Sequence, residues 1–474
     1  MTALDQAYAR CPVWLQTCGI TLFGLAWKRR RFGSIFRKSV PDFVAREAFT
    51  PEQWLRYQEA ELRRILVWSF DRVPYYRREW ARVGFTRKRL EGFEVGQLNE
   101  LPTVGKQDLR RAPADFIAKR RWQPWLHTYH TSGSTGTPLA VRMSSATHQT
   151  WSAAYEARCR LWAGVNHHMS RAMIGGRLVV PRANGAPPFW RYNPVERQLY
   201  LSAFHIAPGN VLDYVQALNT YRPDYLVGYA SAHFFLARFI EEAALQVHAP
   251  RAVLTSSEKL TDTMRETLSR VYRCDVFDAY SGVEPCCLIS ECERHRLHVS
   301  PDVGIIELVA SDGRVVGPGE EGEVVATGLI NFDQPLVRYR LGDLVSWDDQ
   351  PCPCGRSMAV VRQLSGRVED AIVGPDGRET VRFHGLYVGI ASIQEAQVVQ
   401  ETLQTYTVRI VAPKGLSRSD RDLVVGRMRQ RLGDVMVAVA EVPFIERTDR
   451  GKFQAVVSKV SRQPQGRNDV SART

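Results

Sequence analysis

The segment Thr131-Ser132-Gly133-Ser134-Thr135-Gly136-Thr137-Pro138 constrains this chain more than any other stretch. Apart from the closing proline it is all Gly, Ser and Thr. Its backbone bends freely while main-chain N–H groups and hydroxyls converge on one point, the arrangement a polyphosphate needs. No Gly-Lys-Ser/Thr follows, so this is not the Walker pattern, and composition alone also suits an ordinary flexible turn. Residues far downstream bear on the choice. Ala279-Tyr280-Ser281-Gly282-Val283-Glu284 sets an aromatic residue and a carboxylate four apart across a small-residue turn. Tyr339-Arg340-Leu341-Gly342-Asp343 follows the strand-like run Glu323 to Thr327, and then come Gly366-Arg367-Val368-Glu369-Asp370 and Arg447-Thr448-Asp449-Arg450-Gly451-Lys452.

In this order and at these separations, the motifs resemble the adenylate-forming superfamily of acyl-CoA synthetases, luciferases and peptide-synthetase adenylation domains. Leu101-Pro102 through Lys106-Gln107-Asp108-Leu109, Thr255-Ser256-Ser257-Glu258, Asn331-Phe332 through Tyr339, and Cys352-Pro353-Cys354-Gly355-Arg356 are similar to the phenylacetate-CoA ligase family. The stretch Gln394 to Gln400 and the aromatic, basic N-terminus are most similar to its branch found with capsular-polysaccharide genes. The resemblance covers roughly residues 15 to 460. It implies an α/β fold, with a large N-terminal adenylate-forming body of β-sheets packed with helices and a small mobile C-terminal α+β lid.

The implied reaction joins a carboxylate to the α-phosphate of ATP, releases pyrophosphate, and then passes the acyl group to a thiol or amine. By resemblance, Thr131, Ser132, Gly133, Ser134, Thr135 and Gly136 hold the phosphates, and Glu284 binds Mg²⁺, a hard cation that prefers carboxylate and phosphate oxygens. Ser257, Glu258 and Ser281 line the nucleotide, and Tyr280 stacks on adenine. Asp343 offers an acceptor-only carboxylate to the ribose hydroxyls, Arg367 reaches the sugar or a phosphate, and Lys452 brings a point charge to the reacting centre. His205, Tyr229 and Ser256 border the acid pocket, whose small and aromatic walls suit an aryl or compact acyl acid. The lid turns about Glu369 and Asp370, a hinge that absorbs a backbone change at few residues.

Singly, each residue has a structural reading. Glu284 fits a helix N-terminal carboxylate, Tyr280 a core aromatic, Asp343 a strand end, His205 a strand cap and Lys452 an exposed turn lysine. Those readings need a separate reason at each position, whereas nucleotide binding accounts for all of them at once. Three departures from the family pattern stand out. Leu139 occupies a position where many superfamily members carry lysine, and Ser281 replaces a common glycine. Gly374-Pro375-Asp376-Gly377 signals a hairpin where phenylacetate-CoA ligases carry a Gly-rich, Pro-containing segment, which argues against coenzyme A as the acceptor. Two rivals to the ligase reading are a non-catalytic or membrane-associated polysaccharide-assembly protein of the same fold, and an adenylyltransferase acting on a cofactor hydroxyl.

The net charge of +13 is scattered along the chain without a zinc-finger, helix-turn-helix or RNA-binding signature, so no nucleic-acid partner is expected. Nine cysteines, an odd number, with no secretory leader, indicate a cytoplasmic protein rather than a disulfide scaffold. Cys292, His298, Cys352 and Cys354 form a Cys₃His set suited to structural Zn²⁺, with His295 an alternative ligand and plain packing of reduced thiols the other reading. Cys286-Cys287 reads as core filling. Val13 to Trp27, followed by Lys28-Arg29-Arg30-Arg31, is too short to span a bilayer. It suits either a helix packed on the body or peripheral contact of residues 13–31 with the inner face of the membrane.

Four regions follow: a helical 1–100, an α/β body over 101–365, a lid over 366–460 and a polar, disordered tail over 461–474. Helical spacing marks Pro51 to Ser69 and Asp420 to Leu432. Strand patterns mark Asp224 to Tyr229, Gly304 to Val309, Thr405 to Val411 and Met436 to Phe444.

Overall fold

The computed structural model describes residues 8, 10–130, 139–177, 179–181, 186–367, 372–375, 379–380, 386–387, 390, 392–393, 395–446 and 453–460. Five short apolar runs, Arg171–Gly175, Gln198–Ser202, Tyr225–Tyr229, Ala252–Ser256 and Asp275–Ser281, lie parallel in one sheet. Their central residues are buried on both faces, which is why most of them are apolar in succession rather than alternating. Leu226, Val253 and Val276 meet the helices Val211–Tyr221, Ala230–Glu242 and Asp262–Tyr272 on one side. Their neighbours Tyr225, Leu254 and Phe277 face the helix Ser145–Tyr155 on the other.

Beyond Asp275–Ser281 the sheet turns antiparallel through Leu288–Glu291 and Leu297–Val299, and continues through Val360–Arg367, Tyr339–Asp348, Glu321–Gly328 and Gly304–Val309. With Trp190–Asn193 on the far edge it has 12 strands among the described residues. A third core lies where Leu62, Ile65 and Leu66 of the helix Pro51–Arg72 pack with Tyr76, Trp80, Phe116 and the strands carrying Ile305, Val324 and Tyr339. That helix starts where a capping box allows it. Thr50 Oγ accepts from Gln53 N at 3.3 Å, Gln53 Oε1 accepts from Thr50 N at 2.8 Å, and Pro51 supplies the first helical position. Cys286 and Cys287 are both 1% exposed, the core filling their sequence suggested. The N-terminal apolar segment is a helix, Val13–Arg31.

The chain divides into two compact units after Leu364. In the second, Met436–Glu441, Thr405–Val411, Glu395–Gln400 and Val456–Ser458 form a four-stranded mixed sheet. The helix Arg418–Leu432 packs Val424 and Met428 against Val398, Tyr406 and Val408. Its start is set two residues before the expected Asp420 by Ser417, whose Oγ accepts from Asp420 N at 3.1 Å. The strand expected to run to Phe444 ends at Glu441, shortly before Pro443, and Phe444 is exposed. On either side of the signal Gly374-Pro375-Asp376-Gly377, part of which lies outside the described residues, Ile372–Val373 pairs antiparallel with Glu379–Thr380, with Ile372 opposite Thr380.

Candidate active site

Tyr280 lies at the end of the strand Asp275–Ser281, where the chain turns through Gly282 and Val283 into Glu284. Asp343 lies within the strand Tyr339–Asp348 rather than at its end. The two meet: the Tyr280 hydroxyl donates to Asp343 Oδ2 at 2.6 Å. Glu284 is 5% exposed, and its Oε1 accepts from the Tyr339 hydroxyl at 3.1 Å. Burial raises the Glu284 pKa and the nearby Asp343 charge adds to this, while the Tyr339 bond and the Lys106 ammonium pull it down. A Cβ on Gly282 would stand 2.6 Å from Glu284 Oε2, so a larger residue here would displace the carboxylate from its place over this turn. One corner therefore gathers an aromatic ring, two carboxylates and an ammonium from segments far apart in sequence.

Two members of this corner escaped the sequence reading as site residues. Tyr339 opens the third motif but was given no role, and it is fully buried. Lys106 opens the short helix Lys106–Arg111, and its Nζ lies 3.3 Å from where a Cβ on Gly342 would stand. The sequence signal for both is their place inside the quoted motifs, with no pattern that singles them out.

The residues expected to border an acid pocket come from the C-terminal ends of the parallel strands or just beyond them, where α/β sheets commonly bind ligands. His205 follows the strand Gln198–Ser202; its Nδ1 lies 2.7 Å from Ser202 Oγ and its ring stacks on Phe189 at 4.8 Å. Tyr229 closes its strand and is paired in register with Ser256. Ser257 has φ +70°, a left-handed conformation that turns the chain sharply at the strand end. Glu258 Oε2 accepts from both Ser231 N at 3.0 Å and Ser231 Oγ at 2.6 Å, which places a carboxylate at the start of the helix Ala230–Glu242. Ser281 is half-buried at the end of its strand. Thr131, Ser132, Gly133, Ser134, Thr135, Gly136, Glu369, Asp370 and Lys452 lie outside the described residues; Arg367 ends the strand Val360–Arg367.

A second cluster stands apart from this corner. The ligand atoms of Cys292, His298, Cys352 and Cys354 all lie within 4.8 Å of one another. Cys292 Sγ is 3.7 Å from Cys352 Sγ, and Cys354 Sγ is 3.4 Å from His298 Nε2. Tetrahedral Zn²⁺ with sulfur at ~2.3 Å sets ligand atoms about 3.8 Å apart, so the donor set has the right chemistry and spacing. His298 Nδ1 lies 3.2 Å from the Met358 carbonyl, a bond that fixes the ring and turns Nε2 to the thiols. His295 is not part of the set, since its Nδ1 lies by Glu291 and Arg265 and its ring by Phe277.

The CapK C-terminal domain family matches residues 376–459. Protein CapK of Staphylococcus aureus is 27% identical over 344 residues, covering 71% of this chain and 74% of that protein. The phenylacetate-coenzyme A ligase of Thermus thermophilus is 26% identical, covering 68% of this chain and 72% of that one. The chain is a relative of Protein CapK and of the phenylacetate-coenzyme A ligases. Among solved structures, 2-hydroxyisobutyryl-CoA ligase in the postadenylation state with 2-HIB-AMP matches with a TM-score of 0.70 at 21% identity, over 87% of this chain and 91% of that one. Anthranilate CoA ligase AuaEII in complex with anthranoyl-AMP matches at 0.51 with 14% identity, over 71% of this chain and 67% of that one. The fold is that of the adenylate-forming ligases.

Of the departures from the resembled pattern, Leu139 is the one whose structural reason is visible. It is 4% exposed and packs in the core with Val141 and Met143. A lysine ammonium at this position would have to be buried there, at a cost apolar leucine avoids.

Proposed function

We propose that this protein activates a carboxylic acid as its acyl-adenylate and transfers the acyl group to a thiol or amine. The observation that carries the reading is the meeting of Tyr280, Asp343 and Glu284 in one corner. Tyr280 offers a ring face for adenine. Asp343 offers oxygens for ribose hydroxyls, and the Tyr280 hydroxyl holds one of them in place. Glu284, turned inward over Gly282, is the carboxylate for Mg²⁺, which when bound neutralises charge on the phosphate oxygens. The Tyr339 hydroxyl steadies Glu284, and Lys106 offsets part of its charge until the nucleotide arrives. Thr131, Ser132, Gly133, Ser134, Thr135 and Gly136 are the residues for the β- and γ-phosphates, Arg367 for the sugar or a phosphate, and Lys452 for the charge that develops at the α-phosphate. His205, Tyr229 and Ser256 border the space for the acid. Two solved structures of 2-hydroxyisobutyryl-CoA ligase that share this fold are in complex with R3-HIB-AMP and 2-HIB-AMP, in keeping with this assignment. The hairpin at Ile372–Thr380 favours an acceptor other than coenzyme A.

With ATP, Mg²⁺, hydroxylamine and a panel of aryl, acyl and amino acids, pyrophosphate release and hydroxamate formation are expected with one acid class and absent without acid. No release with any acid, together with no ATP binding by calorimetry, sinks the enzyme reading and favours a non-catalytic role.

Cys292, His298, Cys352 and Cys354 hold a structural zinc in this reading, since four protein donors close the tetrahedron and leave no position for substrate. Elemental analysis of the purified chain is expected to find about one zinc per molecule, and Cys354→Ser to lower both that content and the melting temperature, by about 5 °C. A metal-free chain that melts at the same temperature as the zinc-loaded one contradicts it.

A further inference from the structure

The helix Val13–Arg31 seats an unexpected face on the body. Its buried residues are Gln16, Ile20 and Gly24, a line at successive i, i+4 positions. Gln16 Oε1 accepts from Nε of the buried Arg191 at 2.9 Å, and Asn193 Nδ2 donates to the Ile20 carbonyl at 3.1 Å. Gly24 is small because Asn193 fills the space beside it; a Cβ there would meet Asn193 Nδ2 at 2.0 Å. The face turned to solvent is apolar. Trp14 is 65% exposed and Leu22 71%, with Leu15, Phe23 and Leu25 also exposed. A surface helix in water ordinarily arranges these faces the other way round.

Its surroundings say what covers such a face. No Asp or Glu occurs between Asp5 and Asp42, whereas Lys28, Arg29, Arg30, Arg31, Arg37 and Lys38 all fall in that interval. Lys28, Arg29, Arg37 and Lys38 are exposed. A second copy of the chain docked symmetrically here would set one acid-free basic cluster against another. The basic end of the helix also has company. Arg30 and Arg31 lie over the Trp27 ring, and Trp27 packs on Tyr129 with ring centroids 6.2 Å apart. Tyr129 belongs to the strand Leu126–His130, which emerges from Arg121-Trp122-Gln123-Pro124-Trp125, where Trp122 is 84% and Trp125 81% exposed. Exposed tryptophans flanked by arginine in sequence, joined through Tyr129 to the basic end of a helix with a solvent-facing leucine stripe, have the composition of a surface that meets lipid headgroups.

We propose that this face docks on an anionic lipid bilayer, with the helix lying in the interface. Trp14, Leu22 and Leu25 enter the boundary between headgroups and acyl chains, and the basic residues sit among the headgroup charges. The helix lies along the membrane and does not cross it. Its apolar stretch Val13 to Trp27 is about 22 Å long against the roughly 30 Å hydrocarbon core. Among the described residues no helix is long and apolar enough to cross a membrane.

Sedimentation of the full chain with vesicles tests this, using phosphatidylcholine alone and phosphatidylcholine mixed with phosphatidylglycerol. Binding is expected on the mixed vesicles and not on phosphatidylcholine alone, and it weakens as salt is raised. Leu22→Glu with Leu25→Glu is expected to lower partitioning at least about tenfold, with no change in melting temperature, since both side chains are exposed. Failure of the wild-type chain to sediment with anionic vesicles overturns the proposal, as does equal binding by the double variant. So does a wild-type dimer in light scattering that the double substitution dissolves in the absence of lipid, which assigns the face to a second copy instead.

Discussion

Glu284→Gln is expected to lower acid-dependent pyrophosphate release by about 10²- to 10³-fold while leaving the protein folded. The side chain is 5% exposed and burial raises its pKa, so the wild-type chain holds a carboxylate where water cannot solvate it. On the proposed assignment a cation offsets this, because Mg²⁺ would restore by coordination what burial removes. Glutamine keeps the shape and the acceptor for the Tyr339 hydroxyl but loses the charge. Stability should therefore move in the opposite direction to activity. A carboxyl with a raised folded pKa binds its proton more tightly in the folded state. The penalty for its charge is absent below its ordinary pKa, grows as pH rises through that range and is complete above the folded value. The variant's melting temperature relative to wild type should be higher at pH 8 than at pH 5. Measured side by side, a hundredfold loss of turnover with this pH pattern assigns Glu284 to cation binding. A loss below tenfold makes it a structural carboxylate.

How far the sequence anticipated this arrangement differs from one residue to another. Gly304–Val309, a short run rich in β-branched residues, and Thr405–Val411, which alternates, appear as strands at the expected bounds, because each answers to a local pattern. The Tyr280–Asp343 pair is not local; 63 residues separate the partners, and only the joint order of motifs linked them. Tyr339 and Lys106 act on Glu284 through tertiary placement, which no period in the sequence encodes. The choice between His298 and His295 also rested on geometry. His298 lies in the strand Leu297–Val299, where alternation turns it toward Cys354, while His295 sits in the preceding turn at φ +52° and faces Phe277. The segment Val13 to Trp27 suited either a helix packed on the body or one in contact with a membrane, and its apolar composition could not say which residues face inward. The surface beneath it presents Arg191 and Asn193, which select Gln16 and Gly24.

Gly228→Ala is expected to cost about 4 kcal/mol or more, from backbone strain and overpacking together, and to remove activity with it. Gly228 has φ +146°, a conformation L side chains rarely adopt, and a Cβ would lie 1.8 Å from the Ile174 carbonyl oxygen. That oxygen belongs to the neighbouring strand, with Ile174 directly paired to Gly228, so it cannot retreat without breaking the central ladder. The next residue is Tyr229 of the proposed acid pocket, and then the chain enters Ala230–Glu242, held at its start by the two Ser231 bonds to Glu258. A shift large enough to seat the methyl group moves Tyr229 and loosens that helix start together. Thermal unfolding should show a fall of roughly 10 °C, or little soluble protein at all. Gly209→Ala is the control, since nothing lies within 4 Å of a Cβ there, and it should melt with wild type. If Gly228→Ala also melts within a degree or two of wild type, the strand can yield at this point. Tyr229 is then not held rigidly enough to shape the pocket, and acid specificity must be sought on the His205 side.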